Sequence, residues 1–157
     1  FPGLRIGYAV LPPQLVEPMT VARTLLDGHS APMAQLTLAR FIEGGHFGAH
    51  IRTMRSIYAQ RLDTLVGLVE TYLSDFIEPR IPVGGLQMPC LLRDGLSERT
   101  AIDAARRSGV ELLGLSALHD RSDAAAGFLM GFPAYTPMEI EIAIRKLAAA
   151  FRAVAKP

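Results

Sequence analysis

The sequence has little cysteine, no tryptophan, almost no net charge and no long apolar run. It contains a single cysteine, Cys90, and no tryptophan. One cysteine excludes an internal disulfide framework and is typical of a reducing, cytoplasmic environment. A formal net charge of +1 gives no large basic surface for nucleic-acid phosphates. No apolar run is long enough for a membrane helix, and no signal-peptide pattern is present. We therefore expect a cytoplasmic protein that does not bind a membrane.

The composition and the order of predicted elements indicate an α/β fold. The 157 residues are 50% hydrophobic and 20% charged, which is typical of a globular chain. The first half predicts a β-rich run closed by a proline pair, two helices, and one long amphipathic helix; these span Leu4–Leu11, Val16–Leu26, Ala34–Glu43 and Phe47–Leu73. The first run reads as an interior strand.

The second half predicts a small mixed layer of strands and helices. Its strands are predicted at Leu86–Leu92, Val110–Leu115 and Phe128–Phe132, and its first helix runs from a Ser97 cap to Ser108. Pro89 lacks an N–H donor, so the first of these strands is predicted at an edge or a bulge. Thr136, Pro137 and Glu139 predict a capping box at the start of the last helix.

Most searches for catalytic or metal motifs fail. His46 and His50 are four residues apart but straddle Gly48. A histidine hydrogen-bonded to the backbone at a helix boundary is therefore a better interpretation than a metal site. Cys90 lies in an apolar strand, which favours a buried, inert thiol. The glycines form pairs without a dinucleotide or phosphate-loop pattern, and no serine lies in a nucleophile elbow.

Arg5 stands out because a guanidinium in a β-rich run needs an anion or a carboxylate as its partner. On the residues alone, a salt bridge within the chain or an arginine on an edge strand is the better explanation. The residues around it carry a resemblance: the opening PGLRIGY is similar to the segment that follows the cofactor-binding lysine in fold type I pyridoxal-phosphate enzymes, the aspartate aminotransferase superfamily. That resemblance implies that Arg5 binds the phosphate of pyridoxal 5'-phosphate.

A second block of residues narrows the resemblance. It reads Q-x(5)-F-x-x-G followed by H-x-R-x-x-R-x-x-Y-x-x-R-x-D, and its members are Gln35, Phe41, Gly44, His50, Arg52, Arg55, Tyr58, Arg61 and Asp63. This pattern resembles the MocR regulators of the GntR group, in which a winged-helix DNA-binding domain precedes an aminotransferase-like domain. Without the resemblance, the three arginines of this block are explained as the solvated or salt-bridged face of the long helix.

The resemblance implies a domain organisation. Residues 1–45 would be a remnant of the large pyridoxal-phosphate domain, and residues 46–157 would be the connecting helix and the small C-terminal domain. The lysine that forms the Schiff base would precede Phe1, as would most of the cofactor pocket. We therefore expect these residues alone to bind little cofactor and to lack transaminase activity.

One position departs from the family pattern. Aminotransferases use an arginine of a late strand to bind the substrate carboxylate, and alignment over Gly127–Met130 places Phe128 at that position. Ordinary transamination is then doubtful unless Arg121 or an upstream residue substitutes. The alternative is that the alignment is shifted in the preceding loop.

Two functions remain open, and a third is the simplest alternative. The first is part of a MocR-type regulator that senses pyridoxal phosphate or an amino compound and contacts DNA only through an absent N-terminal domain. The second is the C-terminal domain of a genuine class I/II aminotransferase. The third is a self-sufficient binding module, which requires an internal partner for Arg5. We also expect a homo-oligomer, because the strand Leu4–Leu11 would leave unpaired backbone groups.

Overall fold

The computed structural model describes residues 3, 5–28, 31–118 and 125–155. Their helices and strands are α1 (Pro13–Asp27), α2 (Pro32–Glu43), α3 (His46–Tyr72), β1 (Ile77–Pro79), β2 (Gln87–Leu92), α4 (Glu98–Arg107), β3 (Leu113–Gly114), β4 (Gly127–Gly131) and α5 (Pro137–Val154), with a 3₁₀ turn at Leu115–Leu118. The chain divides into two compact units, Phe1–Thr53 and Met54–Pro157, and the division falls inside α3. The finer assignment of residues 1–45 and 46–157 to parts of two domains stays a prediction.

The second unit is built on a four-stranded antiparallel sheet in the order β1-β2-β4-β3. Its core joins the sheet to the C-terminal half of α3, to α4 and to α5. The helix α4 contributes alanines, and α5 contributes an apolar stripe of Ile140, Ile144, Leu147 and Phe151. The small mixed α/β architecture predicted from the sequence is therefore confirmed.

Both helix starts predicted in this unit are confirmed. The Ser97 Oγ accepts a hydrogen bond from the Thr100 N–H at 3.2 Å. At α5 the Thr136 Oγ1 accepts from the Glu139 N–H at 3.3 Å, and the Glu139 carboxylate accepts from the Thr136 N–H at 2.7 Å. Two orphan backbone donors are satisfied reciprocally, which fixes where α5 begins.

The edge position predicted for Pro89 is wrong, because β2 lies between β1 and β4. The Pro89 carbonyl accepts from the Arg80 N–H at 2.8 Å, so the missing N–H of Pro89 faces the same neighbour. That neighbour lies just beyond Pro79, where β1 has already ended. An interior strand therefore tolerates the proline, since only one hydrogen bond beyond a short partner strand is lost.

In the first unit the predicted strand at Leu4–Leu11 is wrong for the residues that the structure describes. Residues 5–12 belong to no helix or strand. A strand needs a paired neighbour for its backbone groups, and this run has none among the described residues. In the described part of Phe1–Thr53 no apolar side chain is buried, and Tyr8, Val10 and Leu26 are each about nine-tenths exposed.

The remaining differences are small. The strand predicted at Val110–Leu115 shortens to Leu113–Gly114, while β1 was not predicted. The helices α1, α2 and α3 match their predicted positions to within a few residues. Within the described residues, no helix combines the length and the apolar character that crossing a bilayer requires.

Candidate functional site

Arg5, the predicted phosphate ligand, is an exposed cation in a strained backbone position. Its φ is 51°, in the left-handed region that residues with a Cβ rarely adopt. The side chain makes no hydrogen bond or ion pair with any other residue that the structure describes. An internal carboxylate partner, which the self-sufficient module requires, is therefore not found within that part of the chain.

The glycines beside Arg5 are not demanded by packing. A Cβ built on Gly3 or on Gly7 would meet no atom within 4 Å, and neither glycine has a positive φ. The space that a Cβ would enter at Gly3 and Gly7, two residues to either side of Arg5, is therefore open. Such space is compatible with close approach of a bulky anion.

Three members of the second motif block, Phe41, Gly44 and His50, lie around the turn between α2 and α3. The Phe41 ring lies 5.8 Å from the His46 ring and 6.1 Å from the His50 ring, measured between centroids. A Cβ on Gly44 would approach the His46 imidazole to 2.9 Å. Phe41 and His50 of the block therefore pack together at this turn, and Gly44 leaves room for the His46 ring.

The arginines of that block separate into two groups. Arg52 and Arg55 are exposed on α3, as a solvated helix face predicts. Arg61 is half-buried and donates a hydrogen bond from Nη1 to the Pro133 carbonyl, which ties α3 to the chain just before α5. This contact gives Arg61 a structural role within the second unit.

Phe128 does not lie where a ligand-binding arginine would have to lie. It is completely buried on β4, and its ring meets the Phe151 ring edge-to-face at 6.0 Å between centroids. Because side chains alternate along a strand, the half-buried Leu129 side chain lies on the opposite face of the sheet. This burial favours the alternative that the alignment is shifted in the preceding loop. Arg121, the suggested substitute, lies outside the described residues.

The buried thiol predicted at Cys90 is confirmed. Cys90 is completely buried, and burial raises the pKa of its thiol to about 12, so the nucleophilic thiolate is suppressed. No group of three or more histidine, cysteine or acidic side chains that could hold a metal ion occurs among the described residues. His29 and His119 lie outside them.

Two features of the second unit were not predicted. An open groove of about 470 Å³ lies between α5 and residues 109–112, with Leu65 and Met130 in its floor and Lys146 and Tyr135 among its lining residues. The Glu98 carboxylate, at the start of α4, accepts hydrogen bonds from two other elements. No motif search would find either one, because both depend on residues that are distant in sequence.

No protein-family model matches the chain. Among curated proteins, the probable rhizopine catabolism regulatory protein MocR of Rhizobium meliloti is 30% identical over 154 residues, covering 98% of this chain and 31% of that protein. Aromatic-amino-acid aminotransferase 1 of Thermococcus litoralis is 25% identical over 148 residues, covering 94% of this chain and 35% of that protein. The chain thus spans about a third of the length of these curated relatives.

Solved structures agree on the fold. The kynurenine aminotransferase of Pyrococcus horikoshii superposes with a TM-score of 0.88 at 24% identity, covering 99% of this chain and 39% of that one. The chain therefore has the fold of part of a fold type I pyridoxal-phosphate aminotransferase. Over nearly its whole length its sequence is similar to MocR-type regulators of the GntR group as well as to aminotransferases, which confirms the predicted resemblance.

Proposed function

We propose that these residues are part of the pyridoxal-phosphate or effector-binding, aminotransferase-like domain of a MocR-type transcriptional regulator. The observation that carries this proposal is the 30% identity to a MocR protein across 98% of the chain. In the proposed protein, a separate N-terminal winged helix contacts DNA, and the regulator acts in the cytoplasm as a homo-oligomer. An amino acid or a related amino compound is the proposed effector.

Arg5 is the proposed ligand of the cofactor phosphate. Its exposure, its lack of an ion-pair partner among the described residues and the open space at Gly3 and Gly7 fit a phosphate oxygen. When bound, pyridoxal phosphate supplies an electron sink for chemistry on amino compounds. The role of this chain is to hold the phosphate and so to orient the ring, since the family's lysine would lie outside these residues.

The test of this role is a cofactor titration of the full-length protein, followed by absorbance. Arg5→Ala is expected to weaken pyridoxal-phosphate binding about 10- to 100-fold, because one hydrogen bond to a charged group contributes roughly 1.5–3 kcal/mol. Arg5→Lys keeps the charge but loses the planar fork, so it should restore part of the affinity. The matched control is Arg52→Ala, an exposed arginine of the same unit. Unchanged affinity in Arg5→Ala would contradict the role of Arg5.

The second candidate, the C-terminal domain of a genuine aminotransferase, is supported by the similarity to the Thermococcus enzyme and by the aminotransferase folds. The coding sequence upstream distinguishes the two candidates, since a regulator requires a winged helix and a linker before the large domain. We expect no transaminase activity from the 157-residue chain alone. Turnover of an amino donor by this chain with added pyridoxal phosphate would refute that expectation.

The homo-oligomer is supported by the exposed apolar side chains of the first unit. Sedimentation at tens of micromolar should show self-association of the chain. A strictly monomeric species at that concentration would count against it.

A further inference from the structure

The Glu98 carboxylate contacts two elements that lie far along the chain from it. Its Oε2 accepts a hydrogen bond from the Gly127 N–H at 3.0 Å, at the start of β4. Its Oε1 accepts from the Ser116 hydroxyl, and both oxygens lie within reach of the Ser116 N–H, at 3.3 and 3.4 Å. One side chain at the first turn of α4 therefore meets the end of the β3 segment and the beginning of β4.

These hydrogen bonds matter because β3 is held weakly by the sheet itself. It is the outer strand, and its register with β4 comprises only Leu113↔Leu129 and Gly114↔Phe128. Two residue pairs at the edge of a sheet provide little cooperative pairing. Ser116 lies two residues after Gly114, and Gly127 lies one residue before Phe128, so the contacts from Glu98 extend the attachment of β3 to β4.

The surrounding chain is shaped to admit the carboxylate. A Cβ on Gly114 would collide with the Glu98 carboxylate and would come within 2.8 Å of the Ile102 Cδ1. A Cβ on Gly127 would collide with the Cys90 carbonyl and would lie 2.9 Å from the Leu115 Cδ1. Glycine at position 114 therefore leaves room for the Glu98 carboxylate, and glycine at position 127 leaves room for the Cys90 carbonyl of β2 and for the Leu115 side chain.

We propose that Glu98 is the fastening residue of the outer strand: its carboxylate holds the β3 segment against β4, and its loss releases that edge while the rest of the sheet persists. This inference does not rest on the proposed function. Partial burial alone would raise the pKa of Glu98, but hydrogen bonds from the Ser116 side chain and from the Gly127, Ser116 and Leu115 backbones outweigh it and lower that pKa. The attachment should therefore weaken in acid.

The charged groups that share the groove beside Glu98 are Arg99, Asp103 and Arg106, all on α4. The 3₁₀ turn after β3 and the residue just before β4 contribute only uncharged residues to this groove, Ser116 and Ala126. Since the folded-state pKa is lowered, the contribution of Glu98 is complete above the ordinary carboxyl value and is lost as the pH falls through the lower folded value.

The test is amide hydrogen exchange of the 157-residue chain, read at residues 116 and 127. Glu98→Gln keeps the side-chain shape but replaces one acceptor oxygen by an NH₂ group, so one backbone donor loses its partner. We expect exchange at these two amides to accelerate at least about tenfold, while amides of β1 and β2 change less than about twofold. Asp103→Asn is the matched control on the same helix and in the same groove. It should leave amide exchange unchanged at residues 116 and 127 and in β1 and β2.

A second variant and a pH profile keep the proposal testable if Glu98→Gln does not fold. Ser116→Ala removes only the hydroxyl donor and should accelerate exchange at residue 127 by about threefold, a smaller effect because the backbone donors remain. In wild type, the protection factors at residues 116 and 127 should fall as the pH drops below the ordinary glutamate pKa of about 4.3, before those of β2. Protection at residue 127 that is unchanged in both variants, or equally lost in Asp103→Asn, would overturn the proposal.

Discussion

The Phe128→Arg substitution tests whether Phe128 lies in the core or at an open site for a substrate carboxylate. If Phe128 stood where aminotransferases bind the substrate carboxylate, Phe128→Arg would add a useful cation at an open site. In the structure the Phe128 ring is completely buried and packs against Phe151, whose ring meets Phe76 at 5.9 Å. The arginine would therefore place an unpaired charge in the core.

The size of the effect follows from that burial. Removing a buried phenylalanine side chain costs about 3–5 kcal/mol, and an uncompensated buried charge adds several kcal/mol more. Domains of this size are stable by only about 5–15 kcal/mol, so Phe128→Arg should leave the second unit largely unfolded at 25 °C. Phe128→Ala should remain folded with a reduced free energy of unfolding.

The assay is urea denaturation followed by far-UV circular dichroism, since the chain has no tryptophan for fluorescence. Leu129→Arg is the matched control, because Leu129 is half-buried on the opposite face and its arginine can reach solvent; we expect a cost below about 2 kcal/mol. A Phe128→Arg protein with the same urea midpoint as Leu129→Arg would refute the placement of Phe128 in the core.

Further outcomes follow from the other contacts of the second unit. Cys90 should resist a thiol reagent at pH 8 in the folded protein and react on addition of denaturant, because burial raises its pKa to about 12; rapid modification without denaturant would contradict its burial. Thr136→Ala should lower the free energy of unfolding by about 1 kcal/mol at pH 7 through loss of the helix cap. Hydrogen bonds from the Thr136 backbone and side chain lower the pKa of Glu139, so this cost should shrink as the pH falls below the ordinary carboxyl value, as urea midpoints at pH 7 and pH 3 will show. A Thr136→Ala cost that is the same at both pH values would argue against the capping box.

The sequence predicts most reliably those elements whose signals are local. The capping box of α5 and the Ser97 cap are complete within four residues, and each appears in the structure at its predicted place. The amphipathic stripe of α3 is likewise local, and its members Leu65 and Val69 are buried. In each case one short segment contains both the donor and the acceptor, or the whole apolar face.

Features that depend on distant residues are predicted poorly. Pro89 is misplaced because its tolerance depends on where β1 ends. The contacts of Glu98 are missed because its partners lie 18 and 29 residues away. The burial of Phe128 is missed because a shift of one residue along a strand reverses the face on which a side chain lies, and the motif alone does not fix that register.

The candidate site illustrates the same division. The motif around Arg5 is local, and it identifies a cation with small neighbours. In the structure this cation is exposed and has no ion-pair partner among the described residues. Whether that cation holds a phosphate depends on groups that no local pattern contains, since a phosphate site needs several converging donors. The strained φ of 51° makes the point testable: a bound anion should favour this backbone conformation, whereas Arg5→Gly should relieve the strain and still lose cofactor affinity. Loss of cofactor affinity together with a gain in stability would show that the guanidinium is needed for binding and that the backbone strain at Arg5 is the cost of placing it there.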